Sequence, residues 1–480
     1  MMEPAVSCDV AIIGAGPAGG HCALLLADAG LHVRLIDEAS EPGGQIWRAP
    51  LPGMAVLPSP DHKEGEALRE ALRASTVELM AGHRVWSVGR ADCAGADGFT
   101  VCAVGPEGPL TVRARRLVAA TGAFERVVPF QGWTLPGVMG LAAATILMKS
   151  HGVVPEGPVV VAGAGPLLFA VAASLTKLGE PPAAVVDMDR RRDWLRRAPG
   201  LASAPRLMAR GLRWMASLVR AGVPVVSGAS VRAAHGSTRL QAVEIGPVDR
   251  SGAPRKGSVR TLEAHSLTVG HGLTPGGEVA GLLGASRVHD PVCGGWVTET
   301  DEAGRTSVPG FHAIGDCAAV RGAVLAETGG KLCAHGIAQD LRRPLRAAIT
   351  PLRKAIRRQS HFADVIGRAL ALRDGQVEAI PSDVIVCRCE DVTRSELDAA
   401  VDRGGADVNQ VKHFSRCGMG PCQGRVCGEV AATLIAQRLG LKRPLVGLFT
   451  PRPPLRPVTL DDLVGDFTYN DIPIPAPAPL

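Results

Sequence analysis

One stretch near the N-terminus constrains the fold more than any other. Asp9-Val-Ala-Ile-Ile13 is a short apolar run suited to a buried strand, and Gly14-Ala-Gly16-Pro17-Ala18-Gly19 leads from it into a helical pattern over His21–Ala29. His32–Ile36 reads as a second strand, ending at Asp37 and Glu38 about twenty residues past the glycines, where a carboxylate can accept from ribose hydroxyls. Each glycine has its own task in such a unit. Gly14 permits the tight turn, Gly16 lets a pyrophosphate approach the backbone, and Gly19 lets the helix pack on its strand with its N-terminus facing the phosphates. A lone G-x-G-x-x-G is a weak signal. Strand, helix, second strand and acid in register make it a complete dinucleotide-binding unit.

The plan repeats at Val159–Ala162, Gly163-Ala-Gly165-Pro166-Leu-Leu168, a helix, and Ala183–Val186 ending at Asp187. Gly163 and Gly165 are the candidates for holding a second nucleotide. Leu168 stands where the third glycine would be, and its side chain pushes helix and strand apart, so functional NAD(P) binding is not expected. Asp187 suits a ribose, and Arg190, Arg191 and Arg192 suit either a 2′-phosphate or a solvated face. Gly157–Thr176 is long and uncharged enough to raise the question of a membrane span. Its central glycine turn reads instead as strand, turn and helix, so no span is expected.

The other chemical signal lies far downstream. Five of the twelve cysteines crowd into Cys387-Arg-Cys389 and Cys417-Gly-Met-Gly-Pro-Cys422-Gln-Gly-Arg-Val-Cys427. Thiolates arriving as two close pairs can surround one metal centre, and Gly418, Gly420 and Gly424 let the backbone beside them fold tightly. Pairing selects Cys387 with Cys389 and Cys422 with Cys427, leaving Cys417 over. A structural zinc site usually spaces each pair as C-x2-4-C, so the C-x-C fits iron–sulfur better. The remaining cysteines, Cys8, Cys22, Cys93, Cys102, Cys293, Cys317 and Cys333, are scattered in apolar sequence and read as small buried hydrophobes. No C-x2-C or C-x4-C occurs in the first half, which argues against a redox-active disulfide. The first basic residue is Arg34, so a basic export signal is absent and a reducing cytoplasm is expected.

Cys387-Arg-Cys389-Glu390-Asp-Val-Thr393, Lys412 and Arg416–Cys427 resemble the small 2Fe-2S domain related to bacterioferritin-associated ferredoxin. Three more stretches resemble flavoproteins with two dinucleotide-binding domains: Glu41-Pro-Gly43-Gly44-Gln45, the strand Leu117–Ala120 ending at Thr121-Gly122, and Phe311-His-Ala-Ile-Gly315-Asp316. They imply FAD, with Asp316 at the ribityl chain. The combination resembles the alpha subunit of hetero-oligomeric, dye-linked amino-acid dehydrogenases: opine oxidases, D-hydroxyproline and L-proline dehydrogenases, and hydrogen cyanide synthase. The resemblance implies an α/β fold with two Rossmann-like domains of the FAD/NAD(P) disulfide-reductase-like class plus the small cluster domain. On this reading 1–130 and 290–345 form the FAD domain, 131–289 the NAD(P)-binding-like domain, 346–380 a basic linker, 381–440 the cluster domain and 441–480 a proline-rich tail. Pro451–Pro457 in that tail is expected to lie as an extended strap on another domain or subunit.

By the same resemblance the chain relays electrons within a larger enzyme. Its flavin-containing beta partner would oxidise the amino acid, opine or secondary amine, a small third subunit can join, and an external dye, quinone or carrier accepts the electrons. The rivals are a self-sufficient NAD(P)H-oxidising diaphorase and a non-catalytic assembly subunit. His271, in Gly270-His-Gly272, and His312, in the stretch before Asp316, are the histidines expected nearest a flavin, but each reads first as a satisfied loop or core residue, and no catalytic base is assigned. With 480 residues, 46% hydrophobic, the chain has material for several packed domains, while a net charge of +6 and 3% aromatic residues do not suit nucleic acid.

Overall fold

The computed structural model describes residues 6–54, 60–93 and 96–464. Chain order gives β1 (Val6–Ile13), α1 (Pro17–Asp28), β2 (Val33–Asp37), α2 (Pro60–Arg73), β3 (Glu78–Ala81), β4 (Arg84–Cys93), β5 (Ala96–Gly105) and β6 (Gly108–Ala119). Parallel pairing runs β3-β2-β1-β6 and an antiparallel meander continues β6-β5-β4. α1 starts at Pro17, four residues before the periodic pattern suggests, because proline's fixed φ and missing N–H suit the first helical position. In β1, Val10, Ala11 and Ile12 are wholly enclosed, as a central parallel strand covered on both faces must be.

After β7 (Ala123–Glu125) the chain enters its second α/β domain. This comprises β8 (Val138–Gly140), α3 (Leu141–Ser150), β9 (Val159–Gly163), α4 (Pro166–Lys177), β10 (Ala184–Asp187), α5 (Arg191–Leu201), α6 (Pro205–Arg220) and β11 (Val225–Ser227). An antiparallel sheet of β12 (Ala229–His235), β13 (Ala242–Pro247) and β14 (Arg260–Glu263) precedes β15 (Ser266–Gly270). The parallel order is β11-β10-β9-β15-β8. Gly157–Thr176 is divided between β9, its turn and α4, and no helix among the described residues is long and apolar enough to cross a membrane. β16 (Leu273–Pro275) pairs antiparallel with β7, so the exit from this domain is laced to its entrance.

The return passes α7 (Glu278–Leu282) and the hairpin β17 (Arg287–Asp290) with β18 (Gly295–Thr298), then β19 (Phe311–Ala313), which adds in parallel to Leu117–Ala119 of β6. α8 (Ala323–Asp340) then packs along α1. A Cβ at Gly330 would overlap the Ala18 carbonyl, so this helix contact is set by the missing side chain. The basic stretch expected as a linker forms α9 (Thr350–Leu370), followed by α10 (Asp374–Glu378). The C-terminal domain has β20 (Ile385–Cys387), β21 (Val392–Thr393), α11 (Arg394–Asp402), α12 (Val408–Ser415) and α13 (Gly428–Leu439). Its core takes in Val128 and Trp133 from the first crossover, and Trp133 Nε1 donates to the Ile385 carbonyl at 2.8 Å.

Arg126 joins these parts. Its guanidinium is 2% exposed and donates to the carbonyls of His271 (3.1 Å), Leu370 (2.6 Å) and Gly294 (3.0 Å), and to Glu429 at 2.6 Å. One side chain thus ties the crossover to the second domain, the end of α9, the β17–β18 hairpin and α13. Replacing Arg126 by Ala should lower unfolding free energy by about 3–5 kcal/mol, because Glu429 and three carbonyls lose their partner. Urea unfolding followed by circular dichroism measures it, with Arg126→Lys, which cannot reach all four acceptors, expected in between.

Candidate functional site

A continuous cavity of about 1860 Å³ opens along the first glycine turn. Gly14, Gly16, Pro17, Ala18, Asp37, Glu38, Gly44, Gln45, Thr121, Gly122, Gly315 and Asp316 all line it. Their roles are separable by what a Cβ would meet. At Gly14, where φ is +105°, it would strike the Ala120 carbonyl, and at Gly19 it would strike the carbonyl of Gly14, so both serve the packing of turn, strand and helix. Gly16 has an ordinary φ of −72°, and a Cβ there meets only Gly44 Cα at 3.8 Å. Its emptiness therefore faces the cavity, and α1 starts there with no side-chain cap on its amides, an arrangement that favours an anion.

Asp37 closes the end of β2, accepting from the Ala15 and Ala39 amides, while burial raises its pKa. Glu38 is exposed, with Arg456 3.7 Å away. Gly44 crosses over Gly16, and Gln45 accepts from Arg48. Thr121 Oγ1 donates to Gly276 O at 2.7 Å. Asp316 accepts from the Arg321 and Gly322 amides, each at 2.9 Å, and burial raises its pKa. α8 follows immediately with no side-chain N-cap. Glycine turn, two helix N-termini and two recessed carboxylates fit an extended diphosphate with ribose and ribityl hydroxyls. Arg69 escaped the sequence reading. It is 2% exposed on α2 and donates to the carbonyls of Pro42 and Trp47, fixing the loop that carries Gly44. Its only trace in the sequence is an arginine in an amphipathic helix.

The second glycine turn borders the same cavity through Ala164, Pro166 and Leu167 but is built differently. Gly165, at φ +83°, abuts the Leu370 side chain at the end of α9, and Leu168 is wholly buried in the core of its domain. Asp187 is 1% exposed, accepts from Trp194 Nε1 at 2.8 Å and from the Asp189 amide, and burial pushes its pKa up to about 7. Its ribose-binding position is thus turned inward. Arg190 is bound to the Val248 carbonyl, while Arg191 and Arg192 are solvated. Neither His271 nor His312 lines the cavity. Burial first, then Arg126 and Arg373, push the His271 pKa down to about 3, so it stays neutral.

All five clustered cysteines converge, in two groups. The Sγ atoms of Cys387, Cys417 and Cys427 lie within 4.8 Å of one another, and all three residues are buried. Cys389 and Cys422 face each other nearer the surface, and the Cys422 amide donates to Cys389. Cys417, left over by the pairing, lies in the inner group beside Cys387 and Cys427. Arg416 caps α12 in the left-handed region (φ +63°) and Gly418 follows at +85°, and these two turns send the Cys417 side chain inward. Hydrogen bonds from Cys417 and Cys427 pull the Cys387 pKa down to about 2, with the Gly418 amide adding a weaker contact at 3.5 Å. A Cβ at Gly418 or Gly424 would overlap the Phe449 ring and one at Gly420 would overlap Cys389, which explains the glycines. Three of the four described non-glycine residues with positive φ, Asp391, Arg416 and Gln423, also sit in these loops. The donor set, soft thiols served by backbone amides, fits an iron–sulfur cluster.

The cluster loop reaches the large cavity directly. Arg425 donates to Cys422 O at 3.1 Å, pairs with Glu278 and lies 5.5 Å over the Phe124 ring; Glu278 and Phe124 both line the cavity. The proline-rich strap closes this junction. Leu455 is 3% exposed and donates its amide to Trp86 O at 2.7 Å, its carbonyl accepts from Arg425, and Arg456 lies 5.7 Å over the same Phe124 ring. The strap therefore lies on the chain's own flavin domain; the rest of the expected tail, 465–480, is outside the described residues. The described cysteines are free thiols, five of the scattered ones buried and Cys102 half-buried; the Cys93 side chain is outside the described part.

Residues 8–339 match the family model described as pyridine nucleotide-disulphide oxidoreductase, and residues 383–466 match the sarcosine oxidase A3 domain. An opine oxidase subunit of Rhizobium meliloti (strain 1021) is 35% identical over 95% of this chain and 98% of that protein. Hydrogen cyanide synthase subunit HcnB of Pseudomonas aeruginosa is 33% identical over 93% of this chain and 96% of its own length. L-proline dehydrogenase from P. horikoshii shares the fold, with a TM-score of 0.69 over 95% of this chain and 79% of that chain at 22% identity.

Gly16→Val should abolish flavin retention while leaving the far-ultraviolet circular dichroism unchanged, because its backbone conformation suits a branched side chain and only the cavity is filled. The absorbance ratio of flavin to protein after gel filtration tests this, and full flavin content in the variant would refute the assignment. A second outcome follows from Glu125, recessed in the cavity wall, whose carboxylate accepts from the Ala142 amide at the start of α3 and whose pKa burial pushes up to about 7. A raised carboxyl pKa means the folded state binds the proton more tightly. Glu125 should therefore cost stability above about pH 7 and stop doing so as pH falls toward the ordinary value of 4.5. Thermal melts across that window should show Glu125→Gln losing this pH dependence.

Proposed function

The chain belongs to the pyridine nucleotide-disulphide oxidoreductase family, in the group that holds the opine oxidase subunit and hydrogen cyanide synthase subunit HcnB, and from that premise we propose that it is an electron-transfer subunit. It would hold FAD in the first cavity and a 2Fe-2S cluster on Cys387, Cys389, Cys422 and Cys427. A partner subunit with its own flavin would oxidise an amino acid, opine or related secondary amine. The observation that carries this reading is the junction of Arg425, Glu278 and Phe124, through which the cysteine loop and the flavin cavity share a wall. When bound, a flavin exchanges two electrons or one and a 2Fe-2S cluster exchanges one, so the pair divides a two-electron oxidation into single steps.

The chain's own residues do the holding. Gly16, the amides of α1 and Asp37 take the diphosphate and ribose end, and Asp316 with the start of α8 takes the ribityl end. Phe449 packs against Gly418 and Gly424 of the cysteine loop, and Arg425 fixes that loop against the cavity. No residue here is assigned to substrate chemistry, in keeping with a substrate site on the partner. Electrons would leave to an external dye, quinone or carrier, and a small third subunit would complete the assembly. The cytoplasmic setting read from the sequence suits so many free thiols.

The diaphorase alternative needs a working second nucleotide site. Leu168, the contact of Gly165 with Leu370, and Asp187 closed off by Trp194 all count against one. Anaerobic mixing with NADH or NADPH should bleach the flavin far more slowly than about ten per second, an ordinary turnover rate. Bleaching at that rate would favour the diaphorase. Co-purified with its partner, the protein should instead be reduced by the partner's amine substrate. Replacing Cys387, Cys389, Cys422 or Cys427 by Ser should remove iron and the visible cluster absorbance and lower the melting point of the C-terminal domain, since cluster binding is coupled to its folding. Zinc in place of iron in anaerobically prepared protein would overturn the cluster.

A further inference from the structure

A 2Fe-2S cluster takes four protein thiolates, and this site gathers five thiols. The four proposed ligands form two facing couples, Cys389 with Cys422 and Cys387 with Cys427, each couple drawing one member from each short loop. Cys417 is the extra group, and its position is specific. It is wholly buried, its amide is held by Ser415 Oγ at 3.2 Å, and its Sγ lies 3.9 Å from that of Cys427 and within 4.8 Å of that of Cys387. It touches only the inner couple. The turns at Arg416 and Gly418 and the Phe449 ring leave that side chain no route to solvent. An unused buried S–H beside two buried thiolate sulfurs has one chemical option, to donate to them, and in a low-dielectric setting such a donor counts for more than it would in water.

We propose that Cys417 is a positioning residue that keeps its proton and donates an S–H···S hydrogen bond to the inner ligand couple, Cys387 and Cys427, making the cluster easier to reduce. This rests on the cluster reading above. Reduction adds one negative charge that spreads onto the ligand sulfurs; a donor there stabilises the reduced state more than the oxidised one and raises the potential. No bond is made or broken and no proton leaves Cys417.

The test is an anaerobic redox titration of the full-length protein, followed by electron paramagnetic resonance of the reduced cluster, with iron and acid-labile sulfide measured on the same samples. Cys417→Ala and the bulkier Cys417→Val, which both lack a donor, should retain iron and sulfide. Each should show a reduced-to-oxidised ratio about tenfold smaller in a solution poised at the wild-type midpoint, equivalent to about 59 mV for one electron. Cys417→Ser, whose hydroxyl still donates, should stay near wild type. An unchanged midpoint in the Ala and Val variants overturns the inference and leaves the cluster reading standing. Loss of iron from Cys417→Ala, with retention in Cys422→Ala, overturns it by making Cys417 a ligand. Wild-type protein without iron and sulfide would sink both.

Discussion

The architecture depends on a guanidinium that has no water to turn to. Arg126 satisfies three carbonyls and a carboxylate contributed by four separate segments, and its nitrogens are all engaged inside the protein. A buried arginine stripped of its partners is expensive, so the energy of each contact depends on the others being present. That is what makes the flavin domain, the second domain and the cysteine domain one cooperative body. His271, Leu370 and Gly294 meet it through their carbonyls, so the knot depends on where their backbones lie.

The relation between cavity and cysteine loop follows from that fixity. Arg425 and Arg456 bracket Phe124, both near Glu278, and the strap residue Leu455 seals the space between. Arg456 also lies 3.7 Å from Glu38, so at this junction two cations meet two carboxylates and their charges balance. No disulfide is formed among the described cysteines of the flavin half. Its described cysteines are free thiols, with Cys22 and Cys333 in contact inside the core, and the group of three close thiols found among the described residues is that of the C-terminal loops.

Much of this was legible in the sequence because it depends on local patterns. Glycines at fixed offsets between apolar runs announced both βαβ units, and close cysteine pairs announced the C-terminal site, since each pattern sits within a few dozen residues. What escaped depends on contacts between distant segments. Nothing near Arg126 or Arg69 separates them from solvated arginines, and Phe449 is an isolated aromatic until glycines more than twenty residues upstream are folded against it. The burial of Cys417 beside Cys387 and Cys427 escaped because spacing along the chain says nothing of the left-handed residues on either side of it, one of them an arginine. Leu168 was legible as an obstacle, whereas the inward turn of Asp187 toward Trp194 required the fold.

The strand Phe311–Ala313 completes the first sheet by adding to the far end of β6, nearly two hundred residues after that strand. On a ribosome, the dinucleotide fold therefore stays open at one edge while the whole second domain is being made. Asp316, which lies just past that strand, arrives late among the groups lining the flavin cavity. Leu455 and Arg456 of the strap line the same cavity, so its wall is finished only after the cysteine loops have been made.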